Sequence, residues 1–254
     1  LSGNSTITTL SASTTAVSRA EIEVAGNLNI EVGSKIDVTD RGYLGAFRGN
    51  NTGNTGRTYG NTTVGGSTPN SGGSYGGLGG TGNGSPNAVY GDLTNPDEVG
   101  SGGGSNYDST QPGGNGGGLM KITAGTLNVD GGIIADGGST NNRGGGSGGG
   151  IRIEVGTLTG ASTGTISAKG GTSPSYGGGG GGRIAIYYTD HSGFTGTISA
   201  KGGSSDSTGE NGGAGTIYLK SSANTYGDLV VDNGGMDSNE ASTPLTAINR
   251  GLVT

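Results

Sequence analysis

The sequence predicts an all-β fold: a right-handed parallel β-helix, or β-solenoid, with coils of about 32 residues. Three observations carry this expectation. Glycine supplies 63 of the 254 residues and only 28% are hydrophobic, which leaves too little apolar material for a large compact core. The apolar residues that exist alternate with polar ones in short runs, the period of a half-buried strand. Those runs also recur at a nearly constant spacing. Such repetition means that one repeat cannot bury its face alone and must stack on its neighbours.

The first repeat is the most divergent, "AEIEVAGNLNIEVGSKIDVTDRG" at 20–42. Four closer ones follow: "GLMKITAGTLNVDGGIIADGG" (118–138), "GGIRIEVGTLTGASTGTISAKGG" (149–171), "GGRIAIYYTDHSGFTGTISAKGG" (181–203) and "GAGTIYLKSSANTYGDLVVDNGG" (213–235). Each reads as a first strand, a short connection, a second strand and a glycine-rich exit. In the first strand Ile122, Ile153, Ile186 and Leu219 are equivalent, at spacings of 31, 33 and 33. In the second strand Ile133, Ile166, Ile198 and Leu229 are equivalent, followed two residues later by Ala135, Ala168, Ala200 and Val231. These positions should form inward ladders. A β-sandwich is the competing architecture, because Asp130–Gly131 would suit a tight hairpin turn.

Glycine blocks at 137–150, 170–182 and 202–215 fall between the second strand of one coil and the first strand of the next. Coil stacking should bring them side by side. Lacking a Cβ, glycine segments can approach closely and bond through their backbones. The expectation is an ordered polyglycine layer of polyproline-II-like chains; floppy loops are the alternative.

The chain reads as a single solenoid domain over 1–254, with a glycine-rich insertion at 45–117 and a capping or pairing tail at 236–254. The insertion has too few apolar residues for a core of its own. Val89, Tyr90, Leu93 and Val99 should anchor it against the solenoid. β-prone pieces in residues 1–19 and in "PLTAINRGLVT" could cap the solenoid or pair with another copy. The chain starts at "LSGNST" without methionine and reads as a mature or excised piece of something longer.

Chemistry-bearing patterns are scarce, and no catalytic, cofactor-binding or metal-binding residue is assigned. The one histidine, His191, reads as a solvated residue of the "YTDHSGF" connection. Two G-x-S-x-G matches, at 72–76 and 145–149, lack the strand-to-helix elbow that exposes a nucleophilic serine. "GLGGTG" at 77–82 lacks the helix that a dinucleotide fingerprint requires. Asp136, Lys169, Lys201 and Asp232 form an outward row of mixed charge, read as a solubilising ladder. Asp97, Glu98, Asp206 and Glu210 are loop carboxylates that follow no calcium motif. Asn4, Asn50, Asn61 and Asn83 lie in N-glycosylation sequons. Cysteine is absent, so disulfides are excluded. The net charge of −6 argues against nucleic acid as a partner, and no apolar stretch is long enough to span a membrane.

The stretch "GGGGRIAIYYTDHSGFTGTISAKGG", followed by "GGAGTIYLK" and preceded by "YGDLTNPDEVGSGGG", resembles glycine-rich parallel β-helix repeat regions of large bacterial secreted or surface, adhesin-like proteins. The resemblance covers about residues 20–235 and brings no catalytic residues with it. It implies an extracellular or cell-surface location. The expected function is a non-enzymatic structural protein, a stiff stalk or a head-to-tail filament built by self-association. An adhesin or carbohydrate-binding module for surface glycans, using exposed Tyr59, Tyr75 and Tyr176, is the second reading. A polysaccharide-degrading enzyme is the third. Flat Thr-rich ice-binding ladders do not run through these repeats.

Overall fold

The computed structural model describes residues 1–206, 209–238 and 241–245. It is an all-β parallel solenoid of about six turns, with no helix among the described residues. Each full coil contributes one long and one short strand. The long strands are β2 (Arg19–Ile30), β4 (Leu119–Val129), β6 (Gly150–Gly160), β8 (Arg183–Phe194) and β10 (Thr216–Ser221). The short ones are β1 (Thr6–Ile7), β3 (Lys35–Asp37), β5 (Gly132–Ile134), β7 (Thr165–Ser167) and β9 (Thr197–Ser199). A last strand, β11 (Asp228–Val230), joins the long set. The two sheets have the orders β11-β10-β8-β6-β4-β2 and β1-β3-β5-β7-β9.

The expected register holds through the parallel coils. Ile22, Ile122, Ile153, Ile186 and Leu219 are successive partners in the long sheet. Ile36, Ile133, Ile166 and Ile198 are successive partners in the short one. Together with Met120, Ile151, Ile184 and the Ala135–Ala168–Ala200 row they form one continuous core. Each fully buried isoleucine contributes roughly 1.5–3 kcal/mol of hydrophobic stabilisation.

The long strands run further than the sequence suggests. In β4 the inward set is Met120, Ile122 and Ala124, then jumps to Leu127 and Val129. In β6 it is Ile151, Ile153 and Val155, then Leu158. The three-residue jump at Gly125 and Gly156 turns the strand so that its second half faces the core again. What reads as a connection is therefore strand. The same holds for "YTDHSGF", which lies inside β8.

The last repeat departs from the expected ladder. β11 pairs antiparallel with β10, Tyr218 opposite Leu229, instead of stacking on β9. Leu229 consequently packs outside with Leu93, Ala185 and Tyr218, and Val231 is exposed. β1 and β3 do pair in parallel. In the 236–254 tail, Ser242 O accepts from Leu78 N and Ala241 is buried. Residues 239–240 and 246–254 lie outside the described residues.

The insertion lies along the solenoid's outer surface. Leu93 is buried against Ala185 and Tyr218. Val99 packs with Tyr43 and Leu119, with Tyr90 against them. Val89 is half-buried.

Candidate functional site

The glycine run Gly177–Gly182, immediately before β8, is buried throughout. All six of its N–H groups donate to backbone carbonyls, and the targets repeat every third residue. Gly177 and Gly180 donate to Asn70 and Gly73 of the insertion, at 3.0 and 2.8 Å. Gly178 and Gly181 donate to Glu210 and Gly213 of the following coil, at 3.0 and 2.9 Å. Gly179 and Gly182 donate to Gly171 and Ala168 of the preceding exit, at 2.9 and 2.8 Å. The run from 144 to 149 repeats the pattern one coil earlier. Gly144 and Ser147 donate to Gly104 and Ser101, Gly145 and Gly148 to Gly177 and Gly180, and Gly146 and Gly149 to Gly138 and Ala135.

Glycine is required in these runs because the chains touch. A Cβ on Gly179 would lie 1.9 Å from Gly146 O, and one on Gly181 would lie 1.9 Å from Ala200 O. Backbone carbonyls held in a ladder cannot rotate aside, so even alanine has no room. None of Gly177–Gly182 has positive φ; close approach, not turn geometry, is what selects the residue.

Where a backbone partner is missing, a buried amide supplies it. Asn115 Oδ1 accepts from Gly45 N at 2.9 Å. Asn87 brackets Ser74, accepting from its N–H at 2.8 Å and donating to its carbonyl at 3.0 Å. The serines of both G-x-S-x-G matches belong to this scaffold. Ser74 Oγ accepts from Gly79 N and Ser147 Oγ from Ser101 N, and both residues are fully buried.

Arg183 ends the 177–182 run and was not singled out by the sequence. Its side chain is fully buried. Nε donates to Tyr90 O at 2.9 Å and the terminal nitrogens to Thr216 Oγ1 at 3.3 Å and Tyr75 O at 3.4 Å. The guanidinium carbon lies 5.4 Å from the Tyr75 ring centroid. Burial pulls its pKa down, and no carboxylate forms an ion pair with it among the described residues. Arg183 thus joins β8, β10 and the insertion through neutral acceptors. Tyr75, expected at the surface, is fully buried under this contact, because its ring covers the cation. Burial raises its hydroxyl pKa well above the ordinary tyrosine range. Tyr59 is exposed and Tyr176 half-buried.

The outward charged row is only partly a row. Asp136 and Lys169 line one cleft of about 490 Å³ with Asp40. Next along, Asn233 Oδ1 accepts from Gly202 N at 2.9 Å, while Asp232 Oδ1 accepts from Gly234 N at 2.7 Å. Asp136 is not freely solvated: Oδ1 accepts from Ser167 Oγ at 2.5 Å and Lys169 N at 2.7 Å. Burial raises its pKa against those bonds. Burial also raises that of Asp40, whose Oδ1 accepts from Asn115 N at 3.1 Å. Both carboxylates therefore hold backbone donors in place.

The other flagged residues are dispersed. His191 is exposed on β8 and stacks on Tyr188, ring centroids 4.2 Å apart. Glu98 accepts from Tyr43 Oη at 2.9 Å, and burial raises its pKa. Glu210 Oε2 accepts from Thr81 N at 3.2 Å, while Asp97 and Asp206 are exposed. No group of three His, Cys, Asp or Glu suited to a metal ion occurs among the described residues. No described helix is long and apolar enough to cross a membrane. Of the sequon asparagines, Asn4, Asn50 and Asn83 are exposed, while Asn61 is half-buried and bonds to Arg57 and Ser13. Comparisons with protein-family models, curated proteins and solved structures find no match to this chain.

Proposed function

We propose that the chain is a non-enzymatic structural rod, a length of stiff extracellular stalk or self-assembling filament. The three-way bonding of the glycine runs supports this reading most directly. Donation that repeats every third residue has the period of a polyproline II helix. Each run then behaves as a straight strut bonded on three sides, one element of a polyglycine layer lashed to the solenoid. Loops on a binding scaffold are commonly mobile; bonded struts would instead resist bending and proteolysis, since cleavage requires local opening.

Length along the axis would come from the open end. β2 (12 residues) is the last strand of the long sheet and forms its edge, covered at one end where the Leu1 amino group donates to Asn29 O. Such an edge templates another strand, supplied by a second copy or by more of a longer chain. A head-to-tail contact between copies does not close, so it propagates. Electron microscopy of concentrated protein should reveal rods that lengthen by stacking, with an axial repeat of about 4.8 Å per coil. Compact monomers at every concentration, digested by protease within the 137–150 and 170–182 runs, would refute the rod.

A further inference from the structure

We infer that a pocket on the insertion side binds an acidic saccharide unit through Arg143 and Arg48. The pocket holds about 280 Å³ and is lined by both arginines together with Thr110, Gln111, Asn141 and Asn142. That volume sits at the lower bound of small-molecule sites, about 300 Å³, and suits a single sugar ring.

Arg143 is the unusual group. It is 6% exposed, and its guanidinium carbon lies 5.2 Å from the Tyr107 ring centroid and 5.4 Å from that of Tyr176. One terminal nitrogen donates to Gln111 Oε1 at 2.6 Å, yet Nε–H is buried with no acceptor. A buried charged donor left unsatisfied is costly, and an anion seated beside the guanidinium would offset part of that cost through charge. The tyrosine rings hold the guanidinium plane in place, so little ordering remains to be done on binding.

The balance of charge favours an anion. None of the residues lining the pocket is acidic. Asp108 feels the Arg143 charge, but its carboxylate accepts from the Thr110 N–H and hydroxyl. Arg48 donates Nε to Gly113 O at 2.9 Å, and its charge is felt by Asp40, which is tied to Asn115. Two guanidiniums with forked donors suit a carboxylate. The surrounding amides and hydroxyls suit the hydroxyl groups of a sugar and offer little to an apolar ligand. The site shares Tyr176 with the tyrosine surface expected from the sequence and does not depend on the rod reading.

Titration calorimetry with D-glucuronate, D-glucose and inorganic sulfate on the folded chain tests the assignment. Glucuronate should bind, glucose should bind at least about tenfold more weakly, and Arg143→Gln should weaken glucuronate by about tenfold or more, the weight of a charge-assisted bond. Arg48→Gln, altered on a less buried residue, should weaken it in the same direction while the chain still unfolds in one cooperative transition, so a misfolded Arg143 variant does not remove the test. Absence of glucuronate binding, equal binding of glucose, equal binding of sulfate, or full affinity in the Arg48 variant would each overturn the proposal.

Discussion

The apolar interior and the glycine flank are both built by stacking one coil on the next, and they cohere by opposite means. In the interior, side chains do the work: the Ile122–Ile153–Ile186 ladder is buried and each member removes a large apolar surface from water. In the flank there are almost no side chains. A net hydrogen bond contributes about 0.5–1.5 kcal/mol, while fixing one residue's backbone costs about 1–2 kcal/mol. A glycine run therefore does not order itself. In Gly177–Gly182, β8 takes over directly at Arg183, and the N–H groups of the run meet carbonyls on three neighbouring segments. The interior carries the apolar burial, and the flank is tied to it through backbone bonds.

That contrast predicts opposite tolerances to a single methyl group, which gives the largest expected effect. Gly179→Ala would place a Cβ 1.9 Å from Gly146 O, and relief requires two bonded chains to separate. Its destabilisation should reach or exceed the upper end of the overpacking range, about 3 kcal/mol. Ile153→Val removes a methylene from a fully buried site and should cost about 0.5–1.5 kcal/mol. Gly26→Ala, with nothing within 4 Å of the new atom, should stay within about 0.5 kcal/mol of the native chain. Chemical denaturation of the three variants measures this order. A Gly179 variant no weaker than the Ile153 variant would mean that the flank is looser than its bonding implies.

The sequence made the interior legible and the flank's neighbours illegible, for a physical reason. Ile122, Ile153 and Ile186 announce their partners through side-chain type and spacing. Glycines carry no such code, so nothing in "SYGGGGGG" tells that Gly180 meets Gly73 while Gly181 meets Gly213. The reversal of β11 was hidden as well. Leu229 and Val231 keep the repeat's pattern, yet Leu229 finds apolar cover beside Tyr218 and Leu93 on the outer face. In the candidate site, Ser74 and Ser147 prove to be buried acceptors for Gly79 N and Ser101 N, a role that their G-x-S-x-G context does not announce. Arg183 and Arg143 are illegible because a charged residue beside glycines reads as surface, and Tyr75 reads as exposed because its glycine neighbours give no sign of the cation that covers it.

Arg183 couples the two regions, so altering it should produce the next largest effect. Arg183→Met keeps the aliphatic volume but removes the donor to the Tyr90 carbonyl and to Thr216 Oγ1, and leaves Tyr75 O with the Tyr90 N–H alone. Loss of about 1–3 kcal/mol is expected. Arg183→Lys keeps the charge but not the fork that reaches three acceptors, and should recover only part of the loss. Hydrogen exchange localises the consequence. Protection should fall first at Gly72–Gly80 of the insertion, with the Ile153 ladder unchanged. Uniform loss of protection in both regions would show that Arg183 stabilises the whole fold and not the joint.

The smallest effect concerns Asp136, which stands at the seam where the short sheet passes into Gly137. Burial raises its folded pKa above the ordinary value of 3.8, against the bonds from Ser167 and Lys169. The native carboxyl therefore holds a proton at pH values where the unfolded one has released it. By linkage, its contribution to stability grows as pH falls through the raised folded pKa and is complete below 3.8. Asp40 has the same sign, again through burial. Asp130 has the opposite sign: the Ala161 N–H and Asn128 lower its pKa, and its contribution is lost below 3.8. Melting curves between about pH 6 and pH 4 thus separate the buried carboxylates from the surface ones. Asp136→Asn should flatten the rise on acidification while keeping an oxygen to accept from Ser167 and Lys169. If the variant follows the native pH profile, Asp136 is solvated as the sequence suggested, and the seam is open to water.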